Sequence, residues 1–310
     1  MKLQLERFKG SLVGLAVGDA LGTTVEFTTP GKFKPVEDMV GGGVFRLQAG
    51  EWTDDTSMAL CLAESLIETE GFDPADQMKR YAKWRHEGYM SSTGTCFDIG
   101  NATAEAISRF QRTGEGYCGS TNPNSAGNGS IMRLCPVPLF YAADPEKAIH
   151  FAMLSSKTTH AAEECVDACK LMTAYILAGL YGWSKERILD PFAFENWFDQ
   201  NLLTSRIADI MYGSYKKKEP PEIQGSGYVV KSLEAALWAF YKSESFEQGA
   251  LMAVNLGDDA DTTGAVYGQI AGAFYGVDEI PAKWRDKLAM RPLIEGFAEN
   301  LYLRATASLH

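Results

Sequence analysis

Histidine, paired cysteines and positive charge are all scarce in this 310-residue chain. Four histidines leave an imidazole-rich metal centre short of ligands. The cysteines at positions 61, 96, 118, 135, 165 and 169 show no CxxC spacing. They read as reduced packing residues rather than a zinc ribbon or a disulfide framework. His160, Cys165 and Cys169 form one soft cluster, but no fourth ligand lies in view. The only basic run is Lys216 to Lys218 and the net charge is -11, which argues against nucleic acid or an anionic membrane as the bulk partner. No basic-then-apolar N-terminal segment is present and no apolar stretch reaches membrane-spanning length, so a cytoplasmic protein is expected. Alternating strand patterns are scarce as well.

What the chain has instead is helical periodicity. Apolar residues recur at three- and four-residue intervals over 6–21, 55–70, 161–181, 229–242 and 261–275. Gly, Pro, Ser and Asn cluster over 28–50, 113–130 and 216–227, where loops are expected. None of these resembles a long flexible linker, so the reading is a single all-α domain over residues 1–310.

Glycine recurs every fourth position at both ends of the chain: Gly10, Gly14, Gly18 and Gly22, then Gly264, Gly268, Gly272 and Gly276. A glycine inside a helix costs about 1 kcal/mol relative to alanine, so two regular stripes call for a reason. Close backbone approach is the natural one, and both stripes are expected at tight helix contacts in the core, against each other.

Two acidic knots stand directly before helical segments. Thr53-Asp54-Asp55 precedes the apolar run from Met58, and Asp258-Asp259-Ala260-Asp261-Thr262 precedes the second glycine stripe. Thr53 is a natural N-cap and acids in a first turn suit the helix dipole, which accounts for part of the first knot. Capping uses one carboxylate and leaves the rest of the second unexplained. Two carboxylates about 4 Å apart repel by roughly 4 kcal/mol at an effective dielectric near 20. Hard oxygen ligands rich in Asp and Thr suit Mg²⁺ or Mn²⁺, and their number suggests two ions. Thr53, Asp54 and Asp55 would come from one side, and Asp259, Asp261 and Thr262 from the other. Asp19 and Glu26, at and after the end of the first helix, add acidic candidates. Gly127-Asn128-Gly129-Ser130 is either a turn or a backbone cradle leading into a helix N-terminus, and beside divalent metals it becomes a candidate diphosphate site.

Taken in order, GDALGTTVE (18–26), EWTDDTSMAL (51–60), CFDIGNAT (96–103), GNGSIMR (127–133), THAAE (159–163) and NLGDDADTTGAVYGQIAGA (255–273) resemble the ADP-ribosylglycohydrolases, in particular the bacterial dinitrogenase reductase-activating glycohydrolases. The resemblance spans nearly the whole chain. It implies a compact all-α fold with a dinuclear Mg²⁺ or Mn²⁺ centre in a central cleft, which removes ADP-ribose from a protein side chain, most readily arginine. It implies Thr53, Asp54, Asp55, Asp259, Asp261 and Thr262 as metal ligands, and Glu26, Asp98 and Asp259 as catalytic carboxylates. Gly127, Asn128, Gly129 and Ser130 match the diphosphate loop, His160 a cleft histidine, and Tyr228 is read as an aromatic wall against adenine. Arginine-linked ADP-ribosylated protein and ADP-ribose are the partners implied, and a monomer is expected. Two other readings compete: a helical Mg-dependent enzyme acting on another diphosphate, such as an isoprenoid synthase, and a non-catalytic ADP-ribose binder of the same fold. Asp54-Asp55 lacks a third aspartate at Met58, which disfavours the first.

Overall fold

The glycine stripes decide how the molecule is assembled. A computed structural model describes residues 2–309. It contains helices α1 (Leu5–Gly22), α2 (Asp54–Glu68), α3 (Pro74–Glu87), α4 (Asn101–Thr113), α5 (Pro136–Phe140), α6 (Pro145–Thr159) and α7 (Glu163–Leu180). There follow α8 (Lys185–Ile188), α9 (Ser205–Met211), α10 (Val229–Lys242), α11 (Phe246–Val254), α12 (Ala260–Tyr275), α13 (Ala282–Arg285) and α14 (Arg291–Ala307). Among the described residues no strand forms; only isolated bridges such as Gly127 to Tyr228 occur.

α1 and α12 run antiparallel, with Gly10 facing Gly272, Gly14 facing Gly268 and Gly18 facing Gly264. A Cβ placed on Gly18 would lie 2.0 Å from the Gly264 carbonyl oxygen, closer than any real contact. The two stripes therefore meet each other, as their spacing predicts. Around this pair the core is fully buried at Leu12, Leu15, Val266 and Ile270, each side chain contributing about 1.5–3 kcal/mol. Because the helices are antiparallel, the C-terminal turn of α1, carrying Asp19, lies beside the N-terminal turn of α12, carrying Asp261.

The five helices expected from periodicity all form, within two residues of their expected ends. α3, α4, α5, α6, α8, α9, α11, α13 and α14 are additional. α14 hides one face, Ile294, Ala298, Leu301 and Ala305, against the core. A smaller apolar cluster of Met58, Cys61, Met78, Tyr81, Trp84 and Ile107 ties α2, α3 and α4 together. That cluster anchors the segment from Gly88 to Gly100, and so the position of Asp98.

One local expectation is corrected. Residues 127–133 do not lead into a helix N-terminus: the chain turns through to Leu134, and the next helix starts at Pro136. The Asn128 carbonyl accepts the N–H groups of Ile131 and Met132. The buried Gln269 amide then donates to the Ile131 and Met132 carbonyls and accepts from Cys135 N–H. A side chain from α12 thus takes the bonds that a continuing helix would need.

Candidate active site

Asp19 organises the first acidic knot from a distance. Its wholly buried carboxylate accepts the backbone N–H groups of Thr53 (2.9 Å) and Thr56 (3.1 Å), and the Thr56 hydroxyl at 2.6 Å. These are the bonds an N-cap supplies. Thr53 occupies the N-cap position of α2, but its side chain makes no capping bond. The expectation that Thr53 caps through its own hydroxyl is therefore corrected: the cap comes from α1, and Asp54 and Asp55 are left free of that duty.

The second knot meets the first. Thr53 Oγ1 lies 2.9 Å from Asp19 Oδ1, 3.1 Å from Asp55 Oδ2 and 3.2 Å from Asp261 Oδ2. One hydroxyl proton serves only one of these three anions. Thr262 Oγ1 stands 3.5 Å from Asp55 Oδ2. Single carboxylate oxygens of Asp19, Asp55 and Asp261 lie within 4.8 Å of one another, as do those of Glu26, Asp259 and Asp261, and those of Asp54, Asp98 and Asp261. Asp261 belongs to all three groups. His160, Cys165 and Cys169 are in none of them.

Buried Asp55 Oδ1, Asp261 Oδ1 and Glu26 Oε2 have no hydrogen-bond partner among the described residues. A buried unpaired carboxylate oxygen is strongly disfavoured, so either protons or cations must neutralise the cluster. Burial, reinforced by the neighbouring carboxylates, holds Asp54, Asp55 and Asp261 well above the usual carboxylate range. Burial, and then the charge of Asp98, push Glu26 up to about 10. Burial raises Asp98 to about 6, and Asp19 to about 6 against the pull of the Thr53 and Thr56 bonds. Burial also raises Asp259. Hard oxygens, orphaned and crowded at these distances, fit divalent cations of the Mg²⁺ or Mn²⁺ kind.

These groups open on a cleft of about 430 Å³ lined by Glu26, Asp54, Asp98, Asp259, Thr262 and the Gly127–Gly129 backbone, with His160 beneath. Three non-glycine residues at its edge hold left-handed backbone: Phe27 (φ 57°), Asp98 (φ 49°) and Asp258 (φ 55°). Strain of this kind costs on the order of 1–3 kcal/mol per residue and concentrates at functional sites. Phe27 N–H donates to the Asp258 carbonyl and Asp258 N–H to that of Thr28, which locks the two edges together.

Asn128 reaches from the glycine loop to the second knot, its Nδ2 donating to Asp259 Oδ2 at 2.6 Å. Gly127 N–H and Asn128 N–H are taken by the Ser125 and Gly227 carbonyls, whereas those of Gly129 and Ser130 have no acceptor among the described residues. The Ser130 side chain is buried and does not line the cleft. His160 is buried, and its ring fills the space a Cβ on Gly129 would need. Burial and the nearby Arg133 lower it to about 3.

Tyr228 stands apart from the carboxylates, in a larger cavity of about 1690 Å³ that shares Asn101, Ala102, Gly127 and Gly227 with the first. Its hydroxyl donates to Glu164 at 2.6 Å and accepts from Arg206 at 2.9 Å. Sequence reasoning placed Asp258 in the second acidic knot but gave no site role to it, to Asn101 or to Thr103, which line the cleft, or to Arg133, which supports it. Arg133 lies inside the quoted GNGSIMR motif, but nothing in the sequence distinguishes a buried arginine from an exposed one.

Comparison with known proteins agrees with this geometry. The family model described as ADP-ribosylglycohydrolase matches residues 1–309. The chain is 45% identical over 301 residues to the ADP-ribosylarginine hydrolase Tri1 of Pseudomonas putida, covering 97% of this chain and 79% of the relative. It is 34% identical to the ADP-ribosyl-[dinitrogen reductase] glycohydrolase of Rhodospirillum rubrum, over 92% of this chain and 91% of that one. A solved structure titled ADP-ribosylglycohydrolase-related protein complex superposes with a TM-score of 0.87 at 42% identity, covering 98% of this chain and all of the other. The isoprenoid-synthase alternative falls with these matches. From the converging acidic knots, the all-helical frame and these similarities, the chain belongs to the ADP-ribosylglycohydrolase family.

Proposed function

We propose that the protein hydrolyses the N-glycosidic bond between ADP-ribose and a modified arginine, with two divalent cations, Mg²⁺ or Mn²⁺, held by Thr53, Asp54, Asp55, Asp259, Asp261 and Thr262. The observation that carries this is the set of buried, orphaned carboxylate oxygens on Asp55, Asp261 and Glu26, in overlapping acidic groups beside the cleft that Glu26 lines. The name of the Pseudomonas putida relative, 45% identical, supports the arginine linkage. Bound cations supply charge that fixes ribose hydroxyls and makes a water more acidic.

The remaining work falls to the chain. Cleavage breaks the bond from ribose C1″ to the guanidine nitrogen, joins a water oxygen to C1″ and returns a proton to the leaving guanidine. Positive charge builds on the ribose in the transition state, and the acidic floor stabilises it. Asp98, at the cleft edge, accepts paired N–H donors of the guanidinium. Glu26, which burial and then the charge of Asp98 push up to about 10, handles the proton. Asp259 accepts from Asn128 and would also hold a cation, so it couples the acidic cluster to the glycine loop. The unclaimed amides of Gly129 and Ser130 receive diphosphate oxygens. Tyr228, in the larger adjoining cavity, forms the wall against adenine.

The test is release of ADP-ribose from arginine-, serine- and aspartate-linked peptides, with Mg²⁺ and Mn²⁺ supplied separately. Release from the arginine-linked peptide with either ion is expected. No release with either overturns the reading, and retention of ADP-ribose without turnover points to a binder.

A further inference from the structure

Arg133 is buried completely and has no carboxylate partner among the described residues, its side-chain bonds going to neutral oxygens. Its Nη1 donates to the Gly129 carbonyl at 2.7 Å, and its Nη2 to Thr159 Oγ1 at 2.7 Å and to Thr158 Oγ1 at 3.2 Å. The guanidinium also lies over the Tyr81 ring, 4.9 Å from its centroid. An unneutralised buried cation is expensive, and neutral oxygens are its compensation here. One belongs to the glycine loop that borders the cleft, and another to Thr159, the residue just before His160.

Thr159 Oγ1 is 2.8 Å from His160 Nδ1. A guanidinium has no lone pair to offer, so Arg133 always donates and Thr159 Oγ1 always accepts from it. The single proton of the Thr159 hydroxyl then has one recipient within reach, His160 Nδ1. The other recipient of its neighbour is spoken for, since the Thr158 hydroxyl donates to the Ser155 carbonyl at 2.8 Å. Nδ1 therefore accepts, and in a neutral ring the proton sits on Nε2. The Nε2 edge faces the glycine loop: Cβ atoms on Gly129 and Gly127 would lie 3.0 and 3.4 Å from it. His160 lines the cleft at that edge.

We propose that Arg133 and Thr159 are positioning residues that fix His160 in the Nε2–H tautomer, so that it presents a permanent hydrogen-bond donor to a substrate oxygen at the Gly127–Gly129 edge of the cleft. This rests on the glycosidase reading for the nature of the substrate, but not for the tautomer, which is a property of the protein alone. The same guanidinium holds the Gly129 carbonyl, so the donor and the loop beside it move as one body. Burial and the charge of Arg133 keep the ring neutral across the working pH range, with the pKa lowered to about 3.

Long-range proton–nitrogen correlation on protein carrying ¹⁵N-histidine, with His160 assigned by His160→Gln, reads the tautomer directly. The expected result is protonated Nε2 and bare Nδ1 in the wild type and in Thr159→Ser, and loss of that preference in Thr159→Val. With ADP-ribosyl-arginine as substrate, Thr159→Val is expected to raise KM about fivefold with kcat much less affected, as loss of one neutral hydrogen bond implies, and Thr159→Ser to restore it. A proton on Nδ1 in the wild type overturns the proposal, and so does a Thr159→Val protein that keeps both the wild-type tautomer and the wild-type KM. A wild-type protein with the expected tautomer but no hydrolysis would count against the functional reading and leave the relay standing.

Discussion

The Asp19 carboxylate takes a 2.6 Å hydrogen bond from the Thr56 hydroxyl, 37 positions further along the chain. Through it the last turn of one helix caps the first turn of another, and an oxygen of the capping aspartate lies within 4.8 Å of oxygens of Asp55 and Asp261. Stability and candidate metal binding are joined at this point.

Asp19→Asn keeps the size of the side chain but turns an amide donor toward N–H groups that need an acceptor. We expect a loss of about 1–3 kcal/mol in unfolding free energy together with a higher metal concentration for half-maximal activity. Denaturant unfolding and a metal titration measure the two; an unchanged metal response would separate Asp19 from the centre.

Asp54→Ala and Asp259→Ala are each expected to abolish hydrolysis while helicity is retained. In chelator, either variant should unfold at a higher denaturant concentration than the wild type, because each removes a like charge from a buried cluster. Loss of helical circular dichroism in the metal-free variants contradicts this.

Glu26 and Asp98 illustrate the pH dependence expected of the metal-stripped protein. Their folded-state pKa values are raised, to about 10 and about 6, so the folded protein binds more protons than the unfolded chain above the ordinary carboxylate range near 4. The contribution of these groups to stability in chelator is therefore greatest below that range. It falls as pH rises through about 6, where Asp19 and Asp98 ionise, and continues to fall toward 10 with Glu26. Added Mg²⁺ or Mn²⁺ replaces the protons and should flatten the decline, with tighter binding at higher pH. Thermal unfolding at pH 5, 7 and 9 with and without metal checks the sign; stability rising with pH in chelator would refute it.

Asp98→Ala should reduce turnover of the arginine-linked substrate more than it weakens binding of free ADP-ribose, since only the former carries a guanidinium. Equal losses in kinetics and in calorimetric ADP-ribose binding would remove Asp98 from its assigned role.

Gly18→Ala places a methyl group 2.0 Å from the Gly264 carbonyl and forces α1 from α12 beside the acidic cluster. A loss of about 3 kcal/mol or more is expected, seen as a lowered melting temperature, with weakened metal dependence of activity. A neutral effect would show that the stripe tolerates separation.

The chain itself determined the helical class, the two glycine ridges and the two stretches of acid, because periodicity and composition are local properties that survive without knowledge of contacts. The ridges even announced their partner, since a helix face bare of side chains is stable only against another backbone. Tertiary structure alone decided what those local signals could not carry. Thr53 looked like a cap, but its duty passed to Asp19, which is remote in sequence and adjacent only once α1 and α2 pack together. The turn after Gly127 read as a helix start, but Gln269 from α12 claimed its carbonyls. Arg133 and His160 became one unit through a single hydroxyl. Each of these rests on hydrogen bonds between distant residues, whose geometry comes into being only when the core closes.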